Sequence, residues 1–373
     1  MLGWEFPPFK SGGLGVHCYE LTNALARKGI EIDFYMPRTN YDIKSNAARI
    51  IQIMPVPVGP YVSKEAYGWD FFNKVREYNK RCAQVVAENN RRRNYSLIHS
   101  HDWLTVDAAL ESKAKINKPN VMTVHSTEYD RAGLFPYDEI LKVEKRGIQN
   151  SDRVITVSHM MKKQLIERFV ANENKVRVIY NGVDIDKFRK CHEFRRGKEK
   201  VVLFLGRMVE QKAPIQFLEA AKKVLTKMKN VRFVMVGEGD LLPYLIDLAI
   251  KWGISDKVTF MGYLPDEQLR EAYARSDLYV MPSVSDPFGI TVLEAMASGT
   301  PVLVSKTSGV SEITANVLKT EFWDVNDMAE KIIALLNYKV LSDTLSNGQM
   351  MDVKNFTWDR TAEQTLNVYR ELI

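Results

Sequence analysis

The residues best suited to chemistry fall in loops that follow short apolar runs. In the first half, His99-Ser100-His101-Asp102-Trp103 follows Leu97–Ile98, and Thr123-Val124-His125-Ser126-Thr127 closes the next run. Each of these histidines can simply hydrogen-bond backbone. His99 and His101, at i and i+2, can also ligate a metal, but the spacing offers no third or fourth ligand. Trp103 beside Asp102 suits a carbohydrate, with an apolar sugar face on the ring and hydroxyls donating to the carboxylate. Nearer the start, Phe9-Lys10-Ser11-Gly12-Gly13-Leu14-Gly15 precedes an amphipathic stretch. Such a loop brings backbone close to an anion at a helix start, or serves as an ordinary strand-to-helix turn. It is neither G-x-G-x-x-G nor a P-loop.

In the second half, Gly206-Arg207-Met208-Val209-Glu210-Gln211-Lys212 follows the run Val201–Leu205. Arg207 and Lys212 can clamp a diphosphate, as a fork and a point charge, or form a solvated charged loop. Asp286-Pro287-Phe288-Gly289-Ile290-Thr291-Val292-Leu293-Glu294 follows Leu278–Met281 in the same way. One carboxylate matches a vicinal diol such as that of a ribose. Glu294 stands within the apolar LEAMA, where an unpaired acid is costly, so a functional role is the better reading. Asp286, next to a proline, also suits the start of a turn.

The elements that must carry these loops alternate regularly. Apolar runs at Ile30–Met36, Ile50–Val56, Leu97–His99, Val121–Val124, Val154–Val157 and Val176–Ile179 are followed by runs at Lys200–Leu205, Val231–Val236, Val258–Met261, Leu278–Met281 and Pro301–Val304. Helical periods fill the gaps: Leu14, Cys18, Leu21 and Leu25 form one stripe, and a helix running from near Lys212 ends over Val224–Lys229. This rhythm predicts an α/β fold with parallel sheets and helices on both faces. It breaks at the polar stretch Asp184–Lys200, which places a domain boundary there. The expected division is residues 1–186, residues 187–356, and a terminal helix over 357–373 with a stripe at Leu366, Tyr369 and Leu372/Ile373. Tyr41–Phe72, rich in Pro and Gly, reads as an irregular insertion.

Composition narrows the function classes. The chain has 373 residues, 45% hydrophobic and 26% charged, with a net charge of +6. That excess is mild and spread out, which fits a phosphate-bearing small substrate at least as well as nucleic acid, and no nucleic-acid partner is expected. The three cysteines, Cys18, Cys82 and Cys191, make no disulfide framework and point to a reducing, cytoplasmic setting. No run is long enough to span a membrane, and no signal peptide is read. The six histidines contain no H-E-x-x-H, so no metal cofactor is expected.

Together, WEFPPFKSGGLG (Trp4–Gly15), HSHDW (His99–Trp103), TVHS (Thr123–Ser126), NGVD (Asn181–Asp184), GRMVEQK (Gly206–Lys212), VGEG (Val236–Gly239) and PSVSDPFGITVLEAMASGTPV (Pro282–Val302) resemble the retaining GT-B glycosyltransferases of family 4, the glycogen (starch) synthase-like group. The resemblance covers most of the chain, and the order of the motifs is what makes it specific. It implies a GT-B fold: two Rossmann-like doubly wound domains with an interdomain cleft, the second holding a nucleoside diphosphate sugar and the first an acceptor. The terminal helix is implied to cross back to the first domain. Arg207 and Lys212 are implied to bind the donor diphosphate, with Lys10, Gly12 and Gly13 on the donor from the other wall. His125 is implied to contact the transferred sugar near its anomeric centre. Asp286 would hold sugar hydroxyls; Gly289, Ile290, Thr291 and Glu294 would bind the donor, Glu294 at its ribose. Asp102 and Trp103 would shape the acceptor side. The family's carboxylate pair is usually Glu and Glu, and this chain has Asp286 in the first place. Only Met1–Trp4 precede the loop, so a short first strand is expected.

The resemblance implies metal-free hexosyl transfer from an ADP-, UDP- or GDP-sugar. The first reading of the acceptor is an α-glucan, and the second a lipid-linked or small-molecule acceptor. The basic runs Arg91–Arg93 and Arg195–Arg196 suit an anionic membrane surface or are simply solvated. A third reading is an inactive sugar-nucleotide-binding protein. Nucleobase and oligomeric state leave no readable mark.

Overall fold

The computed structural model describes residues 1–10, 12–54, 69–133, 135–189 and 199–373. The chain divides into two compact units, unit 1 comprising Met1–Asn181 with Trp358–Ile373, and unit 2 comprising Gly182–Thr357. The polar stretch at the division opens with a short helix, Ile185–Arg189. Residues 190–198, which include Cys191 and Arg195–Arg196, lie outside the described residues, as do residues 55–68 of the expected insertion.

Unit 1 is built on strands β1 (Asp33–Pro37), β2 (Arg49–Ile53), β3 (Ile98–His101), β4 (Asn120–Val124), β5 (Arg153–Thr156) and β6 (Val176–Val178). All the pairings are parallel, β1 with β2 and β3-β4-β5-β6 in sequence. Leu2 bridges both Tyr35 of β1 and Ser100 of β3, so a minimal first strand joins the two halves. Taking Leu2 as the first position, the chain runs outward to β1 and β2 on one side, then returns to β3 on the other. The crevice where that order reverses lies between the Leu2 segment and β3, at their carboxyl ends.

Unit 2 repeats the pattern with β7 (Lys200–Leu205), β8 (Val231–Val236), β9 (Val258–Met261), β10 (Leu278–Met281), β11 (Val302–Ser305) and β12 (Leu318–Thr320). Their order is β12-β11-β10-β7-β8-β9, the doubly wound arrangement of dinucleotide-binding sheets, with its reversal between β7 and β10. Both faces are covered, so the strands read as continuous apolar runs, and Phe204, Phe217, Phe233, Val280, Leu303 and Ile332 share one core. β12 escapes sequence reading because Leu-Lys-Thr makes no apolar run.

The helical stripes are largely placed as the periodicity predicts. In Gly13–Arg27, Cys18, Leu21 and Leu25 are buried, while Leu14 is half-buried. In the terminal helix Trp358–Arg370, Leu366 and Tyr369 are buried, but Ile373 lies beyond its end and is exposed. That helix is tied to unit 1 by Arg27–Asp359 and Lys28–Glu363 ion pairs and by Thr361 donating to the Tyr180 carbonyl. The helix expected from near Lys212 starts at Pro214, because Glu210–Lys212 forms a 3-10 turn and Ala213 turns left-handed, φ 53°.

Candidate active site

In unit 2 the two loops singled out by residue type meet at the carboxyl ends of β7 and β10, the strands that flank the sheet's reversal. Gly206 follows β7 and packs beside the Lys212 stem, whose Cγ lies 3.5 Å from where a Cβ would stand, an ordinary contact distance. The Lys212 ammonium reaches the Asp286 carboxylate at 2.6 Å, with side chains 22% and 11% exposed. Arg207, on the same loop, donates to Gln211 Oε1 at 3.2 Å. The β7 loop is closed from behind by the VGEG turn. Gly237 has φ +128°, and a Cβ there would lie 2.1 Å from the Gly206 carbonyl oxygen, so only glycine lets the two loops touch.

The β10 loop is anchored to the loop after β11. Asp286 forms a bridge with Ser308, and its carbonyl accepts from the Gly309 N–H at 2.8 Å. Gly289 stands at φ 96° immediately before the helix Ile290–Ala297 and turns the chain into it. Ile290 and Thr291 open that helix half-buried. The Thr291 hydroxyl is 2.9 Å from that of Tyr279. Glu294 lies one turn further on, 9% exposed, and accepts from the Tyr273 hydroxyl at 2.9 Å. The partner that the apolar LEAMA context demands is therefore at least in part a tyrosine, far away in sequence.

In unit 1 the reversal gathers a different set of groups. Lys10 is half-buried; Gly12 and Gly13 are exposed at the start of the helix Gly13–Arg27. No atom lies within 4 Å of a Cβ built on Gly12, so packing does not demand glycine there. Gly15 is the forced one, since a Cβ would stand 2.6 Å from Lys10 Cβ. One turn along this helix, His17 enters a cluster with the strand-end histidines. Its ring centroid is 4.3 Å from that of His125 and 5.5 Å from that of His101. His101 Nδ1 lies 3.1 Å from His125 Nε2. His99 is spoken for, by Tyr369 Oη at 2.6 Å and Thr123 Oγ1 at 2.7 Å. Burial holds His17, His99 and His101 well below the ordinary imidazole range and brings His125 down to about 3, so these rings are neutral.

Two expectations are corrected here. Trp103 is no sugar platform: it is 2% exposed, stacked on Phe72 at 6.0 Å and met edge-on by Phe71. Its ring belongs to the core of unit 1. Sequence spacing also offered no third ligand beside the strand-end histidines, yet the fold brings in His17 from a helix. Its position, next to Cys18 in a helical stripe, gave the signal of a buried face and no signal of what that face meets. Asp102 has a supporting place: its carboxylate, buried and pushed up to about 6 chiefly by that burial, accepts from the His125 backbone N–H at 2.6 Å. The Arg91–Arg93 run caps the carboxyl end of the helix Trp69–Arg93, where cations are favoured, and Arg93 pairs with Glu31 and Asp33. Among the described residues, no helix is long and apolar enough to cross a membrane.

Two doubly wound sheets, each with polar side chains gathered at its reversal, fit a GT-B fold, and comparison with known proteins agrees. Residues 11–187 match the model of Glycosyltransferase Family 4, and residues 185–348 that of Glycosyl transferases group 1. A protein of Methanocaldococcus jannaschii named as an uncharacterised glycosyltransferase is 33% identical over 99% of this chain and 97% of its own. The chain thus belongs to this glycosyltransferase family and is a transferase. A D-inositol 3-phosphate glycosyltransferase of Nocardia farcinica is 28% identical, over 96% of this chain and 84% of its own. A glycogen synthase of Mycobacterium tuberculosis is 26% identical, over 99% and 93%. Among solved structures, the sucrose-phosphate synthase of Thermosynechococcus elongatus superposes with a TM-score of 0.84 at 23% identity, covering 100% of this chain and 98% of that one. Anabaena HepE, solved in complex with UDP-glucose, gives a TM-score of 0.78 at 16% identity, over 100% and 99%. These structures share the fold.

Proposed function

We propose that the chain transfers a hexosyl unit, glucosyl in the first instance, from a nucleoside diphosphate sugar to an α-glucan with retention of anomeric configuration. The observation that carries this reading is the meeting of Lys212 with Asp286 at the reversal of the unit 2 sheet, with Arg207 on the same loop as Lys212, where ligands of open parallel sheets bind. Arg207 and Lys212 stabilise the charge that develops on the departing diphosphate, and such electrostatic stabilisation is commonly the largest single catalytic contribution. Asp286 accepts from sugar hydroxyls and Glu294 from the ribose, with Gly289, Ile290 and Thr291 on the donor. The leaving phosphate takes the acceptor's proton as the new glycosidic bond forms on the same face. His125 contacts the transferred sugar, and Lys10, Gly12 and Gly13 serve the donor. No metal is required, so EDTA leaves the rate undiminished.

The likeness to a glycogen synthase supports the glucan, and so does the HSHDW run. A second reading, transfer to a small phosphorylated acceptor, is favoured by the likeness to D-inositol 3-phosphate glycosyltransferases. A panel of ADP-, UDP- and GDP-sugars, scored for thermal stabilisation and for hydrolysis with glycogen or an inositol phosphate added, separates them. Turnover stimulated by glycogen alone supports the first. Turnover stimulated only by the phosphorylated polyol supports the second, and no response to any sugar nucleotide overturns both.

A further inference from the structure

We propose that His17, His101 and His125 form a binding site for a divalent transition metal of the zinc class, and that the ion inhibits transfer. Each of the three offers one ring nitrogen, and the three nitrogens lie within 4.8 Å of one another. Zn–N bonds of 2.0–2.1 Å in a tetrahedral site put ligand nitrogens about 3.4 Å apart. The His101–His125 pair already stands at 3.1 Å. Seating the ion needs side-chain adjustments of about 1 Å, within reach of ring rotation about χ angles.

At His17 the proton is already placed for coordination, whereas the proton shared between His101 Nδ1 and His125 Nε2 must move to the donor ring's other nitrogen as the ion enters. His17 Nδ1 lies 2.7 Å from Asn181 Oδ1. A carbonyl oxygen only accepts, so the His17 proton stands on Nδ1 and the lone pair on Nε2. That is the outer-sphere arrangement by which metal-binding histidines are oriented. The His17 Nε2 left to coordinate is buried and has no hydrogen-bond partner among the described residues. Orphaned buried nitrogens of this kind call for a missing partner. Three imidazoles and no hard oxygen ligand select zinc, cobalt or nickel over magnesium or calcium, and three protein ligands leave a fourth position for water.

Inhibition rests on the proposed sugar contact of His125: a ring bound to an ion is withdrawn from the donor. The test takes the full chain stripped of metal, titrated calorimetrically with ZnCl2 and, in parallel, with Co2+ followed by visible d–d absorption. One equivalent of each, a cobalt spectrum of four-coordinate intensity that zinc displaces, and no response to Mg2+ are expected. His17→Ala lowers zinc affinity by about 100-fold or more, and Asn181→Ala, which touches no ion, by about 10–100-fold. Wild-type protein that binds less than one equivalent overturns the site. So does zinc affinity unchanged in both variants, and the wild-type titration decides the matter if His17→Ala fails to fold. One equivalent of zinc should also slow donor hydrolysis along the same saturation curve, reversibly with EDTA. Full binding with unaltered turnover would overturn the inhibition and count against His125 at the sugar.

Discussion

At the reversal of the unit 2 sheet the groups are charged and reach solvent: Lys212 and Asp286 meet at 2.6 Å with their side chains still partly exposed. At the corresponding reversal in unit 1 His17, His99 and His101 are buried and His125 is half-buried, and the rings are neutral and packed against one another. One strand order produces both crevices, so topology supplies the place and side-chain type supplies the chemistry. Solvent access is the practical difference. Charges at the unit 2 loops can be shared between water and an incoming diphosphate, whereas burial holds the unit 1 histidines in the neutral form.

The largest effect should come from the charged crevice. Lys212→Ala and Arg207→Ala are each expected to reduce turnover by about 10²-fold or more, the scale of removing one transition-state donor. Both sit in a loop ahead of Pro214, so circular dichroism and melting temperature should be nearly unchanged. Near-native turnover in either would erase the contrast between the two crevices. Asp286 sharpens it. Asp286→Ala removes an acceptor and leaves its partners unpaired, at about 1–3 kcal/mol in donor binding or barrier. Asp286→Asn should retain more activity than Asp286→Ala. Asp286→Glu restores the residue usual in the family; a rate at or above wild type would mean that Asp is merely tolerated.

In unit 1 the expected effects are on stability. Asp102→Ala leaves the His125 N–H without its 2.6 Å acceptor and should cost about 1–3 kcal/mol in chemical denaturation, while Asp102→Asn, which keeps an oxygen, should cost less. Equal losses would show that the hydrogen bond is not what holds the β4 loop. The last effect, spread over a range of pH, concerns a buried charge cluster beside that loop. Arg131 is shared between Glu128, at 3.2 Å, and Glu144, at 2.5 Å. Burial first, against the pull of Arg131, raises Glu144 from 4.5 to about 7. A folded-state pKa above the unfolded one means that the folded chain keeps a proton the unfolded chain has released. Stability should therefore fall as pH rises from about 4.5 to about 7, with a slope of at most about 1.4 kcal/mol per pH unit, then level off. Glu144→Gln should flatten that region of the curve; an unchanged slope would place the titration elsewhere.

The unit 2 loops were readable because each sits directly after an apolar strand and carries its own charges, so residue type and local order sufficed. Gly237 was readable only as part of VGEG, without the Gly206 carbonyl that explains it. The unit 1 crevice resisted reading for the opposite reason. His17 comes from a helix, His101 and His125 from two strands, and only the closed sheet reveals that they converge. Trp103 misled because an aromatic beside a carboxylate looks the same whether its face meets a sugar or Phe72.

The helix Trp358–Arg370 gives the molecule an order of assembly. Unit 2 is one uninterrupted stretch, Gly182–Thr357, and every residue it needs has been synthesised before Trp358 is added. Unit 1 is not complete until the helix Trp358–Arg370 arrives, because the His99 ring waits for the Tyr369 hydroxyl across a separation of 270 residues. During synthesis from the N-terminus, the first-made unit is thus the last to close, and a contact of such range is slow to find. A chain ending at Thr357 would hold every residue of unit 2 beside an unsealed unit 1, the species on which a chaperone would be expected to act.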